Sequence, residues 1–222
     1  MVSPVILTFL VDGPLNTMLN LPDGTPAYYT DTPPDYEEYP TTKVHRFDNG
    51  TETLFATIEW RGCYGSNGFS ADGPCMEIHG KKMKVEEWVV PCGGTQSRSC
   101  KFQEGGLDYE WKGGKGKTME LYTGSQTVVA ILRPKKTGLL KKERKAHIEI
   151  DVSDTHADKT RLIDDIVVSC IIMREEDERR KTYGMQLGPL GSGSSGASMY
   201  AQASSRYGLG GGMMGVGGGG GF

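Results

Sequence analysis

Ile166-Val167-Val168-Ser169-Cys170-Ile171-Ile172-Met173 is apolar on every face. Asp164 and Asp165 precede it, and a charge run from Arg174 to Lys181 follows. A surface helix would carry a polar stripe here, so the segment must be buried all round, in protein or in lipid. It is too short for a bilayer, whose crossing takes ~20 apolar residues. The β-branched run favours a strand by propensity. Three features favour a helix: the length of the element with its charged continuation, the absence of Gly and Pro, and a capped start. Asp158 or Thr160 can serve as N-cap, Asp164 and Asp165 lie toward the positive end of the dipole, and Arg179, Arg180 and Lys181 toward the negative end. The expectation is a central helix over about 161–181. Burying its apolar side chains would contribute on the order of 15 kcal/mol before entropy is subtracted.

The rest of the chain reads as short strands separated by turns. Val5 to Val11 ends at Asp12-Gly13-Pro14, and Met18 to Leu21 and Ala27 to Thr32 flank Pro22-Asp23-Gly24-Thr25-Pro26. Thr41 to Phe47 alternates and stops at Asp48-Asn49-Gly50. In Thr53 to Trp60 the alternation puts Leu54, Ala56, Ile58 and Trp60 on one face. Strands follow at Met76 to Val85 around Gly80, at Trp88-Val89-Val90, Leu107 to Lys112, Met119 to Tyr122, Thr127 to Leu132 and Ala146 to Val152. Many short strands with closely spaced turns imply an antiparallel sandwich or barrel. The expected fold is mainly β: a closed antiparallel β-barrel around a central apolar C-terminal α-helix.

Residues 1–183 form the expected domain. From Gly184 the chain turns to Gly, Ser and Met and ends in five glycines and Phe222; about half of the 32 glycines lie here. Such a stretch cannot offset its ordering entropy, so 184–222 is expected to be a disordered Gly-rich tail. Tyr200, Tyr207, Met213, Met214 and Phe222 within it would permit weak self-association.

The formal net charge of −3 and a pI of about 5.9 do not suit bulk nucleic-acid binding. The N-terminal apolar run has no basic flank and reads as a strand, not a signal peptide, and no transmembrane segment is evident. The expected location is cytoplasmic and peripheral to membranes. Five cysteines are then free thiols, although Cys63 with Cys75, or Cys92 with Cys100, could close a loop in an exported protein.

The strongest charge feature is Arg133-Pro134-Lys135-Lys136-Thr137-Gly138-Leu139-Leu140-Lys141-Lys142-Glu143-Arg144-Lys145. Cations around an apolar tip suit an anionic membrane surface, which marks Arg133, Lys135, Lys136, Lys141, Lys142, Arg144 and Lys145 as candidate lipid- or anion-binding residues. The same stretch could meet nucleic-acid phosphates, but it has no aromatics for base stacking. It also reads as a solvated loop with its leucines tucked beneath it. His45, His79, His147 and His156 are scattered, with no metal-binding spacing. His147 is out of phase with Ile148 and Ile150 and should point outward. Asp164 and Asp165 read as helix-start charges, Cys170 as a small core residue, and Gly113-Gly114-Lys115-Gly116-Lys117-Thr118 as a hairpin tip. No catalytic constellation, cofactor or metal is indicated.

Several islands occur together: Gly13-Pro14-Leu15-Asn16-Thr17, Tyr29-Thr30-Asp31-Thr32-Pro33, Ala56-Thr57-Ile58-Glu59-Trp60, Tyr109-Glu110-Trp111-Lys112 with Leu121-Tyr122, Gly138-Leu139-Leu140 with Arg144-Lys145-Ala146, and Asp164-Asp165-Ile166-Val167-Val168. In combination, over about 2–180, they resemble an uncharacterised domain family abundant in mushroom-forming (basidiomycete) fungi. That family implies no established activity. The expected architecture is similar to the tubby and LURP-one-related class, which includes phospholipid scramblase-like proteins. The acidic total and the lack of an alignable phosphoinositide motif depart from the lipid binders of that class. By analogy, the expected function is a non-catalytic module for an anionic membrane surface or a protein partner. The alternative is an assembly protein that associates through its tail.

Overall fold

The computed structural model of the chain describes residues 4–33, 40–61, 73–92, 98–104, 107–113, 118–136, 143–151 and 158–183. The tail from 184, Cys63 and His156 lie outside the described residues. Among the described residues thirteen strands and two helices follow one another: β1 (Val5–Phe9), β2 (Thr17–Asn20), β3 (Pro26–Asp31), β4 (Thr41–Asp48), β5 (Thr51–Glu59), β6 (Cys75–Ile78), β7 (Lys81–Lys84), α1 (Val85–Trp88), β8 (Val90–Cys92), β9 (Arg98–Glu104), β10 (Leu107–Gly113), β11 (Met119–Thr123), β12 (Val128–Arg133), β13 (His147–Ile150) and α2 (Lys159–Tyr183).

The strands form one sheet in the order β7-β6-β5-β4-β3-β2-β1-β13-β12-β11-β10-β9-β8, antiparallel at every pairing. Two meanders, β1–β7 and β8–β13, are thus joined by the β1–β13 ladder. Laid flat, such a sheet would separate its edges by about 58 Å at about 4.8 Å per strand step. The chain from Lys84 to Val90 can reach only about 20 Å. The sheet must therefore roll up until its edges approach. Among the described residues the ring is nevertheless open by hydrogen bonding, which corrects the expected closed barrel. Strand directions alternate along the ladder, so with an odd number of strands β7 and β8 run the same way. Antiparallel pairing cannot continue between them. α1 takes the crossing instead, where the sequence reading expected a strand at Trp88. The Trp88 ring sits 5.1 Å from that of Phe102 on β9, which stacks in turn on Tyr109.

α2 fills the inside of the roll. Asp158 is its N-cap: Oδ1 accepts from the Arg161 N–H at 2.9 Å, and its carbonyl from Leu162. Every residue from Leu162 to Met173 except Ile163 is buried, and Ile163 packs against the core. Neighbours on a helix point 100° apart, so burial of a continuous run means protein on all sides. Around it pack Leu7 and Phe9, Ala56 and Ile58, Tyr109 and Trp111, Met119 and Leu121, and Ile148 and Ile150, the inward alternates of their strands. The Trp111 indole donates to Ser169 Oγ at 3.0 Å, so the one hydroxyl in the apolar run is partnered. Burial pushes the Cys170 thiol up to about 12 and leaves it an inert core residue. Cys75 is a free thiol.

Leu54 corrects another expectation. A bulge pairs Val44 with Ala56 but His45 with Leu54, leaving Phe55 as the extra residue of β5. Beyond it the alternation inverts, and Leu54 is exposed. β9 had no counterpart in the sequence reading. Gly113 ends β10, paired with Met119, and a Cβ there would lie 2.8 Å from Met119 Cγ; residues 114–117 of the expected hairpin tip lie outside the described residues.

Candidate functional site

The basic stretch prolongs the β12–β13 hairpin. Arg133 pairs with His147, and beyond the ladder Lys136 and Arg144 form a bridge whose two backbone N–H···O bonds measure 2.9 and 3.1 Å. Lys141 and Lys142, with Leu139 and Leu140, lie outside the described residues. The other five cations divide into two groups. Arg133 grips Glu149 with two parallel bonds, Nε to Oε1 at 2.6 Å and Nη2 to Oε2 at 3.1 Å. This hydrogen bonding raises the guanidinium pKa and, as its main effect, lowers that of Glu149. Lys135 binds Glu143 at 2.9 Å, which raises the lysine and lowers the glutamate. Lys136, Arg144 and Lys145 are exposed and have no ion-pair partner among the described residues. The stretch therefore offers adjacent free cations at its stem, and two of its nominal cations are neutralised.

His147 keeps the expected phase but is buried. It shares the outer face with Glu149, which its Nε2 meets at 3.2 Å, while Nδ1 lies 3.1 Å from the Lys145 carbonyl.

A second polar cluster went unrecognised in the sequence. Asp164 and Asp165 are fully buried, in the second turn of α2, and no acid lies in its first turn. They are therefore not helix-start charges facing solvent. Asp164 Oδ1 accepts from the Tyr28 hydroxyl at 3.0 Å, and Oδ2 from Arg46, which also holds Asp48. Asp165 Oδ1 lies 3.1 Å from His79 Nε2, and its Oδ2 has no hydrogen-bond partner among the described residues. His79 is placed by a two-residue turn in which it and Gly80 take φ of 50° and 76°, the pair of positive angles a tight hairpin needs. Phe55, the bulged residue, stacks on His79 and meets Tyr28 edge-on, each at 5.9 Å. Desolvation raises Asp164 to about 6, against the opposing pull of Arg46 and Tyr28. The cluster ties β3, β4 and the β6–β7 turn to the helix. Both oxygens of Asp164 are occupied in that tie. The signal for it was present in the sequence: acids on an element buried all round need partners.

Among the described residues no group of three or more His, Cys, Asp or Glu side chains is placed to hold a metal ion, and no helix is long and apolar enough to cross a membrane. No curated protein and no solved structure matches the chain. The model of a family of unknown function, DUF6593, matches residues 12–181, from the turn after β1 to the last turns of α2. That span is well over half of the 222 residues, and the chain belongs to this family.

Proposed function

We propose that the domain is a non-catalytic module that docks on anionic phospholipid surfaces, with the stem of the β12–β13 hairpin as its contact. The observation that carries this reading is the exposed group Lys136, Arg144 and Lys145. None of the three has an ion-pair partner among the described residues, in a chain whose total charge is negative. Near an anionic leaflet each such cation contributes ~1 kcal/mol. A helix wrapped by a rolled antiparallel sheet is similar in outline to the tubby and LURP-one-related class, which supports the reading by analogy. On this view the protein is cytoplasmic and peripheral to membranes. Lys141 and Lys142 would extend the contact.

The test is flotation of the full chain with vesicles of phosphatidylcholine alone or with phosphatidylserine, at two salt concentrations. Retention by the anionic vesicles that falls with salt is expected. Reversing Lys136, Arg144 and Lys145 to Glu should weaken it by roughly 100-fold or more. Equal retention on neutral vesicles, or no effect of the reversal, would overturn the proposal.

A further inference from the structure

Leu10 and Val11 directly follow β1 and are about half exposed, at 48% and 53%. The Phe9 N–H donates to the Ala146 carbonyl at 3.0 Å, carrying the β1–β13 register one residue past its ladder. The next residues on the two strands are Leu10 and Val11 on one, Lys145 and Arg144 on the other. Two adjacent aliphatic residues and two of the cations thus leave the same end of the β1–β13 ladder.

Their exposure is built in. Leu10 N–H donates to the Met18 carbonyl at 2.8 Å. Val11 N–H donates to Thr17 Oγ1 at 3.2 Å, and the same hydroxyl is 3.3 Å from the Val11 carbonyl. Arg174, from α2, lies over the Phe9 ring at 4.1 Å and donates to the Asp12 carbonyl and carboxylate. The backbone of this turn is thus held from both sides, with Leu10 and Val11 exposed and Phe9 in the core. Asp12, the acid of the turn, is paired with Arg174. Glu143 and Glu149 are paired as well, with Lys135 and Arg133, so Lys136, Arg144 and Lys145 remain without an ion pair among the described residues of this edge.

We infer that Leu10 and Val11 are an insertion element for the lipid interface, acting with the cations of the hairpin stem. The inference rests on the membrane-surface reading and deepens it. A bilayer surface presents anionic headgroups over an apolar layer, the two chemistries found side by side here. Nucleic acid presents phosphates without that layer, and aliphatic side chains offer no stacking platform for bases.

The experiment compares the full chain with Leu10→Asn/Val11→Asn, using vesicles with and without phosphatidylserine over a salt series. The double variant should bind anionic vesicles about tenfold more weakly, since two aliphatic side chains no longer leave water. Its salt slope should be unchanged, because no charge has been removed. Leu54→Asn, equally exposed but on the β4–β5 hairpin, should bind like the parent. Val11→Trp adds an indole whose emission should shift to the blue on anionic vesicles; the native Trp60, Trp88 and Trp111 are buried. Parent-like binding by the double variant, with no shift from Val11→Trp, would overturn the insertion element alone. Failure of the parent to bind anionic vesicles would overturn the membrane reading and the insertion with it. Tighter binding to single-stranded RNA, insensitive to Leu10 and Val11, would do the same.

Discussion

Two arginine–carboxylate pairs in this protein share their chemistry and differ in their surroundings. Arg133 and Glu149 meet on the outer face of β12 and β13 with about 30% of each side chain exposed, whereas Arg46 meets an Asp164 that is 1% exposed. In water the first pair exchanges one hydration shell for another, and its main consequence is to cancel a charge that the hairpin would otherwise present. Inside the roll Asp164 stands against a desolvation cost of several kcal/mol, while the Arg46 side chain keeps 22% of its surface exposed. The pair persists because Asp164 is also held by Tyr28, and because it fixes α2 to the β1–β7 half of the sheet. One pair shapes the surface charge, and the other sets the position of the helix.

The largest effect should come from breaking the buried pair. Arg46→Ala leaves Asp164 in the interior without its cation and should cost about 3–5 kcal/mol at neutral pH, read from the urea midpoint and slope. The loss should shrink in mild acid, where Asp164 can take up a proton. A neutral-pH loss under about 1 kcal/mol would place this pair with the surface ones and break the contrast.

Next comes the pH dependence of Asp164 itself. Burial raises its folded pKa from 3.8 to about 6. Between those values the native state binds the proton more tightly than the unfolded chain, so stability rises as pH falls from about 7 toward 4. The full shift corresponds to about 3 kcal/mol. Asp164→Asn removes this contribution. Parent minus variant should therefore become more favourable to the parent with acidification, and a flat difference between pH 7 and 4 would show that the carboxyl is not desolvated.

Much of this is legible in the sequence, and what escapes it does so for specific physical reasons. Alternation and turn residues located eleven of the strands, because all but β7 bury alternate side chains and tight turns separate them. The helix was legible because residues 166–173 leave no polar face to expose, a tertiary demand that overrides β-branched propensity. What escaped depends on ladder geometry. Strand parity, which prevents closure between β7 and β8, follows from how many strands pair and not from any one of them. The Phe55 bulge, which turns Leu54 outward, is one residue in an otherwise regular alternation. At the site, the basic stretch was visible as composition, but which of its cations are free depends on Glu143 and Glu149 lying across the hairpin. Leu10 and Val11 read as the end of a strand, and their exposure shows only once Phe9 is seen to be the last residue of β1 in the core. Tyr28, Arg46, His79, Asp164 and Asp165 are far apart in sequence, and the rolling of the sheet brings them together.

The smallest effect, and the sharpest check on the contrast, is at the exposed pair. Arg133→Gln should cost less than about 1 kcal/mol, because the pair's Coulomb gain is screened and offset by the ordering of a long side chain. Its pH dependence should also run opposite to that of Asp164. Hydrogen bonding from Arg133 holds Glu149 below the usual carboxylate range. Its contribution is therefore present at neutral pH, above the unfolded value, and is lost as pH falls through the folded one. Parent minus Arg133→Gln should decline with acidification, while parent minus Asp164→Asn climbs. The two curves have opposite slopes because solvation dominates one carboxylate and the arginine dominates the other. Parallel slopes would mean that both arginines act in the same dielectric, and the roll would then be wet where Asp164 sits.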